Sequence, residues 1–130
     1  TMMQLVKDLE RIGDYAKDLG EIATKLFPYP VPACMAQIKL MSERCQMMLA
    51  MSLSALTELD AQAGLQVKVR DDAVDTDYEL LYDLLAHQTE VTGSIEPILL
   101  LVLVIRHLER MADHATNIGQ RVAYVVTGQR

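Results

Sequence analysis

Apolar residues recur at three- and four-residue steps along almost the whole chain. Between Met3 and Phe27, Leu5, Leu9, Ile12, Ala16, Leu19, Ala23 and Leu26 keep that spacing, which lays them on one stripe of an α-helix. Pro28, Pro30 and Pro32 follow within five residues. Each proline lacks a donor and biases its predecessor away from helix, so 28–32 is predicted as an extended linker. Ile38, Met41, Cys45, Met48, Leu49, Ser52, Leu56 and Leu59 resume the period and predict a second helix over Ala33–Ala63, with Gly64 as its end or a kink. A third helix is predicted over Leu65–Thr92, with Val67, Val74, Tyr78, Leu81, Leu85 and Gln88 on one side and a break at Gly93-Ser94. Ser94 as a cap, Glu96 in the first turn and Pro97 near the start open a fourth helix. It reaches Val126 and closes at Thr127-Gly128. The run Ile98–Ile105 suits a buried strand by periodicity alone, but the helical pattern beyond it and the total length decide for helix. Four long helices with short breaks predict an all-α fold, an antiparallel up-and-down bundle.

The 130 residues fit one domain or a compact piece of a larger protein, and a hydrophobic fraction of 51% is enough for a core. With no Trp and eight Met, aliphatic side chains must fill it, and most of the methionines are expected as ordinary core filling. The formal charge of −6 opposes a nucleic-acid partner, because phosphate binding relies on Lys and Arg. It is compatible with a cation or a basic protein surface. Cys34 and Cys45 form no C-x-x-C motif; on one helix they would be too far apart for a disulfide. They are expected as buried thiols in a reducing compartment. The most apolar run has eight residues where a membrane span needs about 20, and no signal peptide is visible. A soluble, cytoplasmic protein without membrane insertion is the expectation.

A repeat changes this picture. Leu9-Glu10-Arg11-Ile12-Gly13-Asp14-Tyr15-Ala16-Lys17-Asp18-Leu19-Gly20 returns 99 residues later as Leu108-Glu109-Arg110-Met111-Ala112-Asp113-His114-Ala115-Thr116-Asn117-Ile118-Gly119. Such self-similarity marks a duplicated structural unit. On this reading residues 1–27 are the last helix of one unit and 33–128 are a complete three-helix unit. Glu10, Asp14 and Asp18 stand at i, i+4 and i+8, and so do Glu109, Asp113 and Asn117. On a helix each set forms one stripe, and like charges at i, i+4 repel by a few tenths of a kcal/mol. A third acidic pair, Asp71 and Asp75, has the same spacing. If the third helix packs beside the fourth, that pair faces the Glu109 stripe and builds an oxygen-rich cluster, which a hard multivalent cation would offset well. Solvated helix faces explain most isolated acidic pairs, but the repetition favours a site. Gly13, Ala16, Ala112 and Ala115 point to close helix packing near the stripes.

Other chemistries are absent. No Glu is followed by His three residues later, as ferritin-like di-iron bundles require. H-E-x-x-H, G-x-S-x-G and phosphate-cradling glycine loops are missing too. His87, His107 and His114 are scattered, with His114 off the acidic stripe.

Asp8-Leu9-Glu10-Arg11-Ile12-Gly13-Asp14 and Arg106-His107-Leu108-Glu109-Arg110-Met111-Ala112-Asp113-His114-Ala115-Thr116-Asn117-Ile118, together with Asp71-Asp72-Ala73-Val74-Asp75 and the ending Val122-Ala123-Tyr124-Val125-Val126-Thr127-Gly128, resemble the PhoU family over nearly the whole chain. The resemblance implies two similar three-helix bundles in tandem. It also implies a non-enzymatic regulator that restrains a phosphate ABC transporter, through its ATPase, and a phosphate-sensing histidine kinase, and that works as a homo-oligomer. Metal clusters are implied as well, of iron, zinc, manganese or magnesium. One would be held by Asp71, Asp75, Glu109, Asp113 and Asn117, the other by Glu10, Asp14 and Asp18. This chain departs from the pattern, because its first unit lacks two earlier helices. The second set is therefore half-built unless another chain completes it, and an exposed apolar face on the first helix would favour self-association. Two other readings stand beside this one: a metal-dependent helical-bundle oxidase or hydrolase, and a structural dimerisation module with merely solvated acids.

Overall fold

The computed structural model describes residues 2–88 and 93–128. They form four helices: α1 (Met2–Leu26), α2 (Met35–Glu58), α3 (Ala61–Ala86) and α4 (Glu96–Thr127). No strand occurs among the described residues. Thr92, the expected end of the third helix, lies outside the described residues; within them α3 stops at Ala86, and His87 caps it with its N–H on Asp83 O. The linker after α1 holds its position partly through Tyr29, whose hydroxyl donates to Glu96 Oε1 at 2.8 Å.

The α2–α3 corner differs from the sequence expectation. The second helix does not run to Ala63. It ends at Glu58, and Leu59 turns the chain in the left-handed region at φ 52° with its N–H on Ala55 O. Asp60 then caps α3, its side chain accepting from Ala63 N at 3.1 Å. A carboxylate that satisfies a free helical N–H is a stronger start signal than a glycine is a stop signal. At the head of α4, Ile95 holds the cap position. Ser94 sits one residue earlier, and its hydroxyl accepts from Glu96 N at 3.0 Å. Gly128 ends α4 at φ 72° with its N–H on Tyr124 O, as the sequence suggests.

Helix α4 is the hub. It packs on α1, α2 and α3, whereas α1 packs on α4 alone among the described residues. The main core joins Ile38, Met41, Cys45 and Met48 of α2 to Val67, Val74, Leu81 and Leu85 of α3. Leu101, Ile105, Leu108, Ala112 and Ala115 of α4 close it. Burying each large aliphatic side chain stabilises by about 1.5–3 kcal/mol. Only Met41 and Met48 of the eight methionines are fully buried; Met2, Met3, Met35 and Met47 are exposed.

Gly64, expected as a break, lies buried inside α3. It meets Gly119 of α4 backbone to backbone: a Cβ on either residue would fall inside van der Waals contact of the other's carbonyl oxygen. Because that obstacle is main chain, no rotamer change can relieve it. Gly119→Ala is therefore expected to lower stability by about 2–3 kcal/mol despite alanine's better helix propensity, measured by urea denaturation.

Candidate metal centre

Two links of the chain build the centre. The i, i+4 spacing of Asp71 and Asp75 puts both carboxylates on the face of α3 that meets α4, and Asp113 approaches from α4. One carboxylate oxygen from each of Asp71, Asp75 and Asp113 lies within 4.8 Å of the others. Asp71 is 9% exposed, and its Oδ1 is buried without a hydrogen-bond partner.

The electrostatics follow from this crowding. Burial, then the negative charges of Asp75 and Asp113, push the Asp71 carboxyl up from 3.8 to about 6, against the partial help of Lys68. Asp113 is raised by burial and by Asp75, with Arg110, His114 and Lys68 opposing. Glu109 is raised by burial and then by Asp113 and Asp75, with Arg106 and Arg110 opposing, so it sits in the same negative field. The Cys45 thiol, pushed up to about 12 by burial and by Asp77, Asp71 and Asp113, stays protonated and donates to Leu108 O at 3.2 Å. It is not a nucleophile. Asp77 is paired with Arg44 of α2.

The other predicted positions divide. Asn117 is partly buried on α4, one turn beyond Asp113. Glu10 and Asp14 are exposed on α1. The face that α1 turns to α4 carries Leu5, Asp8, Ile12 and Ile22, and Glu10 and Asp14 lie on the far side. Among the described residues Asp18 reaches His107, with Oδ2 3.8 Å from Nε2. The three α1 acids and the α3–α4 carboxylates form separate places in the fold.

Sequence reasoning missed Asp8. It is 5% exposed, with Oδ1 2.8 Å from His114 Nδ1 and Oδ2 accepting from Arg121 Nε at 3.0 Å. Arg121 also donates to Gln4 Oε1 at 2.7 Å. The Tyr15 ring lies 5.4 Å from that of His107 and 6.0 Å from that of His114. The signal was present: Asp8 occupies the apolar phase between Leu5 and Ile12, where an acid needs a partner.

A helical bundle that gathers three carboxylates between two of its helices, with a protonated thiol beside them, defines the class of this protein: an acidic, all-helical bundle. The PhoU domain matches residues 38–122, and the chain belongs to the PhoU family. It is 62% identical to the phosphate-specific transport system accessory protein PhoU homolog of Synechocystis sp. over 99% of this chain and 58% of that protein. It is 30% identical to the homolog of the same name from Xylella fastidiosa over 98% of this chain and 55% of that protein. The crystal structure of PhoU from Pseudomonas aeruginosa superimposes with a TM-score of 0.88 at 33% identity, covering 96% of this chain and 61% of that one. The chain thus spans a little over half the length of these relatives.

Two outcomes follow. In the folded protein Asp71 keeps its proton up to about 6, whereas in the unfolded chain it loses it near 3.8. Between those values the folded state binds more protons. Stability without added metal should therefore fall as pH rises from about 4 to 6, by about 1–2 kcal/mol after solvent screening. Asp71→Asn should flatten that slope in urea titrations across the window. Asp8→Ala, which strips a buried acceptor from His114 and Arg121, should cost about 2 kcal/mol in urea denaturation.

Proposed function

We propose that this chain serves a regulator of phosphate uptake, working without turnover through contacts with a phosphate ABC transporter's ATPase and a phosphate-sensing histidine kinase. We further propose that a cation held between α3 and α4 belongs to that role. Family membership, and the role of the relatives as transport-system accessory proteins, support the first part. One observation carries the second: Asp71, Asp75 and Asp113 converge within 4.8 Å, and Asp71 Oδ1 is buried with no partner. An all-oxygen donor set with excess negative charge suits a hard divalent ion. Magnesium, manganese, iron and zinc all accept such ligands. Asp71, Asp75 and Asp113 would hold it, with Glu109 and Asn117 one turn away on either side of Asp113. The ion would neutralise the carboxylates and tie α3 to α4.

Transporter ATPases and kinase domains act on the cytoplasmic side, so this reading puts the protein there, as a homo-oligomer. No described helix is long and apolar enough to cross a membrane. The α1 acids Glu10, Asp14 and Asp18 would form a second centre only with further acids facing them.

Elemental analysis of protein purified without chelator tests the cation, beside Asp71→Asn/Asp113→Asn. Stoichiometric metal and a Tm raised by several degrees on adding divalent ion are expected for the wild type, with neither in the variant; a metal-free wild type indifferent to added ions rules the cation out. In cells lacking their own family member, this protein should restrain phosphate uptake in phosphate-rich medium. If it leaves uptake unchanged, the regulatory reading fails independently.

A further inference from the structure

The seam between α1 and α4 gathers cations on one side of an otherwise acidic chain. Asp8 touches His114. The 99-residue repeat turns that pair into His107 and Tyr15, which also touch. The two helices therefore pack antiparallel about a local two-fold axis perpendicular to the plane they share. Such an axis keeps repeat-equivalent residues on the same side of the pair. Arg11 and Arg110 are equivalents, as are Lys7 and Arg106. Each arginine of the first pair stands one helical turn before a ring of the seam, Arg11 before Tyr15 and Arg110 before His114. That spacing keeps the two members on one helix stripe, and the two rings lie 6.0 Å apart. Arg11 and Arg110 thus flank the same rings, with Lys7 and Arg106 one turn further out in opposite directions.

All four cations are exposed, and among the described residues none of them forms an ion pair. Arg11 lies over the Tyr15 ring, 5.2 Å from its centroid, and donates to the hydroxyl at 3.1 Å. Those contacts hold the guanidinium at the seam without cancelling its charge. Arg106 and Arg110 ease the charge of Glu109 from beside it but leave its carboxyl raised. The acids of the seam itself are engaged: Asp8 with His114 and Arg121, and Asp18 3.8 Å from His107. Asp8 also ties the two helices together, so the cations stand on a fixed platform. Like charges on neighbouring stripes repel, and nothing in the described fold relieves them.

We infer that this side of the α1–α4 seam is a docking surface for an acidic segment of a partner protein, its carboxylates taken by Arg11 and Arg110 at the centre and by Lys7 and Arg106 at the ends. Charge complementarity selects the occupant, and length refines it. The two seam contacts set Arg106 level with Ala16, so Lys7 and Arg106 stand about 14 Å apart along the helix axes. One small anion cannot span that distance; about four extended residues can. Leu103, 45% exposed, lies one turn beyond Arg106 and offers an apolar foothold. The net charge of −6 repels a long polyanion, so the fit is to a short acidic stretch and not to nucleic acid. Neither the cation between α3 and α4 nor the role in phosphate uptake is needed for this inference.

Fluorescence anisotropy tests it, with a fluorescein-labelled peptide that alternates glutamate with leucine titrated by this chain. Saturable binding is expected that weakens steeply with salt and is lost when glutamine replaces the peptide's glutamates. Arg11→Gln/Arg110→Gln should weaken it at least tenfold. Lys39→Gln/Arg70→Gln removes the same charge from exposed positions on α2 and α3 and should change it less than twofold. Lys7→Gln/Arg106→Gln touches no described hydrogen bond; it should weaken binding at least threefold with the melting temperature unchanged, which excludes a folding defect. Equal losses from the seam variants and the remote variant would reduce the effect to overall charge and overturn the inference, as would the absence of saturable binding by the wild type. Displacement of the peptide by millimolar inorganic phosphate at constant ionic strength would give the site to a small free anion and overturn it equally.

Discussion

The close crossing of α3 and α4 at Gly64 and Gly119 is the constraint on which the rest of the bundle depends. With no side chain on either residue, the two backbones touch, and the apolar ladders on either side close around them. Ala112 and Ala115 continue the small surface on α4, and both are buried. The same approach that lets the helices pack brings Asp71 and Asp75 against Asp113. The carboxylate group is thus a consequence of close packing, and it opposes that packing. Several fully buried aliphatics, among them Val67, Val74, Leu81 and Ile105, each contribute about 1.5–3 kcal/mol. Every tenfold loss of acidity in a carboxyl corresponds to about 1.4 kcal/mol against its charged form. The apolar contribution wins, so the helices stay together while the acids remain poorly neutralised.

The seam between α1 and α4 has another character. Its apolar members, Leu5, Ile12 and Ile118, frame a polar line of Gln4, Asp8, His114 and Arg121. Geometry-dependent hydrogen bonds at a buried acid specify register in a way that aliphatic contacts do not, because a one-turn slip would leave Asp8 desolvated and unpaired. The α3–α4 contact sets how closely helices approach, and the α1–α4 contact sets where along α4 the first helix sits.

Helix number and order were legible in the sequence because the 3.6-residue period is strong in α1 and α4 and the breaks at the prolines and at Gly93-Ser94 bound the more weakly patterned α2 and α3. The corner between α2 and α3 was not. Gly64 reads as a stop signal, yet its missing side chain serves packing, and the chain turns instead at Leu59, a residue with no propensity for the left-handed region. For the candidate site, identical spacing concealed different surroundings. Glu10 and Asp14 have the same i, i+4 relation as Glu109 and Asp113, but spacing reports which residues share a face and says nothing of what covers it. The covering helix exists for α4 and is absent from the described part of this chain for α1. Asp8 shows the converse error. It stands outside the i, i+4 acidic stripe of Glu10, Asp14 and Asp18, and its place in the apolar phase of α1 marked it as buried.

The unequal treatment of the two stripes bears on how the α3–α4 centre would respond to its surroundings. Asp71 holds a proton up to about 6 because burial and the neighbouring carboxylates of Asp75, Asp113 and Asp72 disfavour its charge, and Lys68 compensates only in part. A proton and the proposed divalent cation would answer the same imbalance at the same oxygens, so they would compete. Below about 6 the proton suffices and a cation would have to displace it; above that the carboxylates repel one another. On the proposed reading the contact between α3 and α4 would gain most from an ion near neutral pH. Since α4 also carries the seam to α1, whatever tightens α3 against α4 acts on the one helix that every other helix touches.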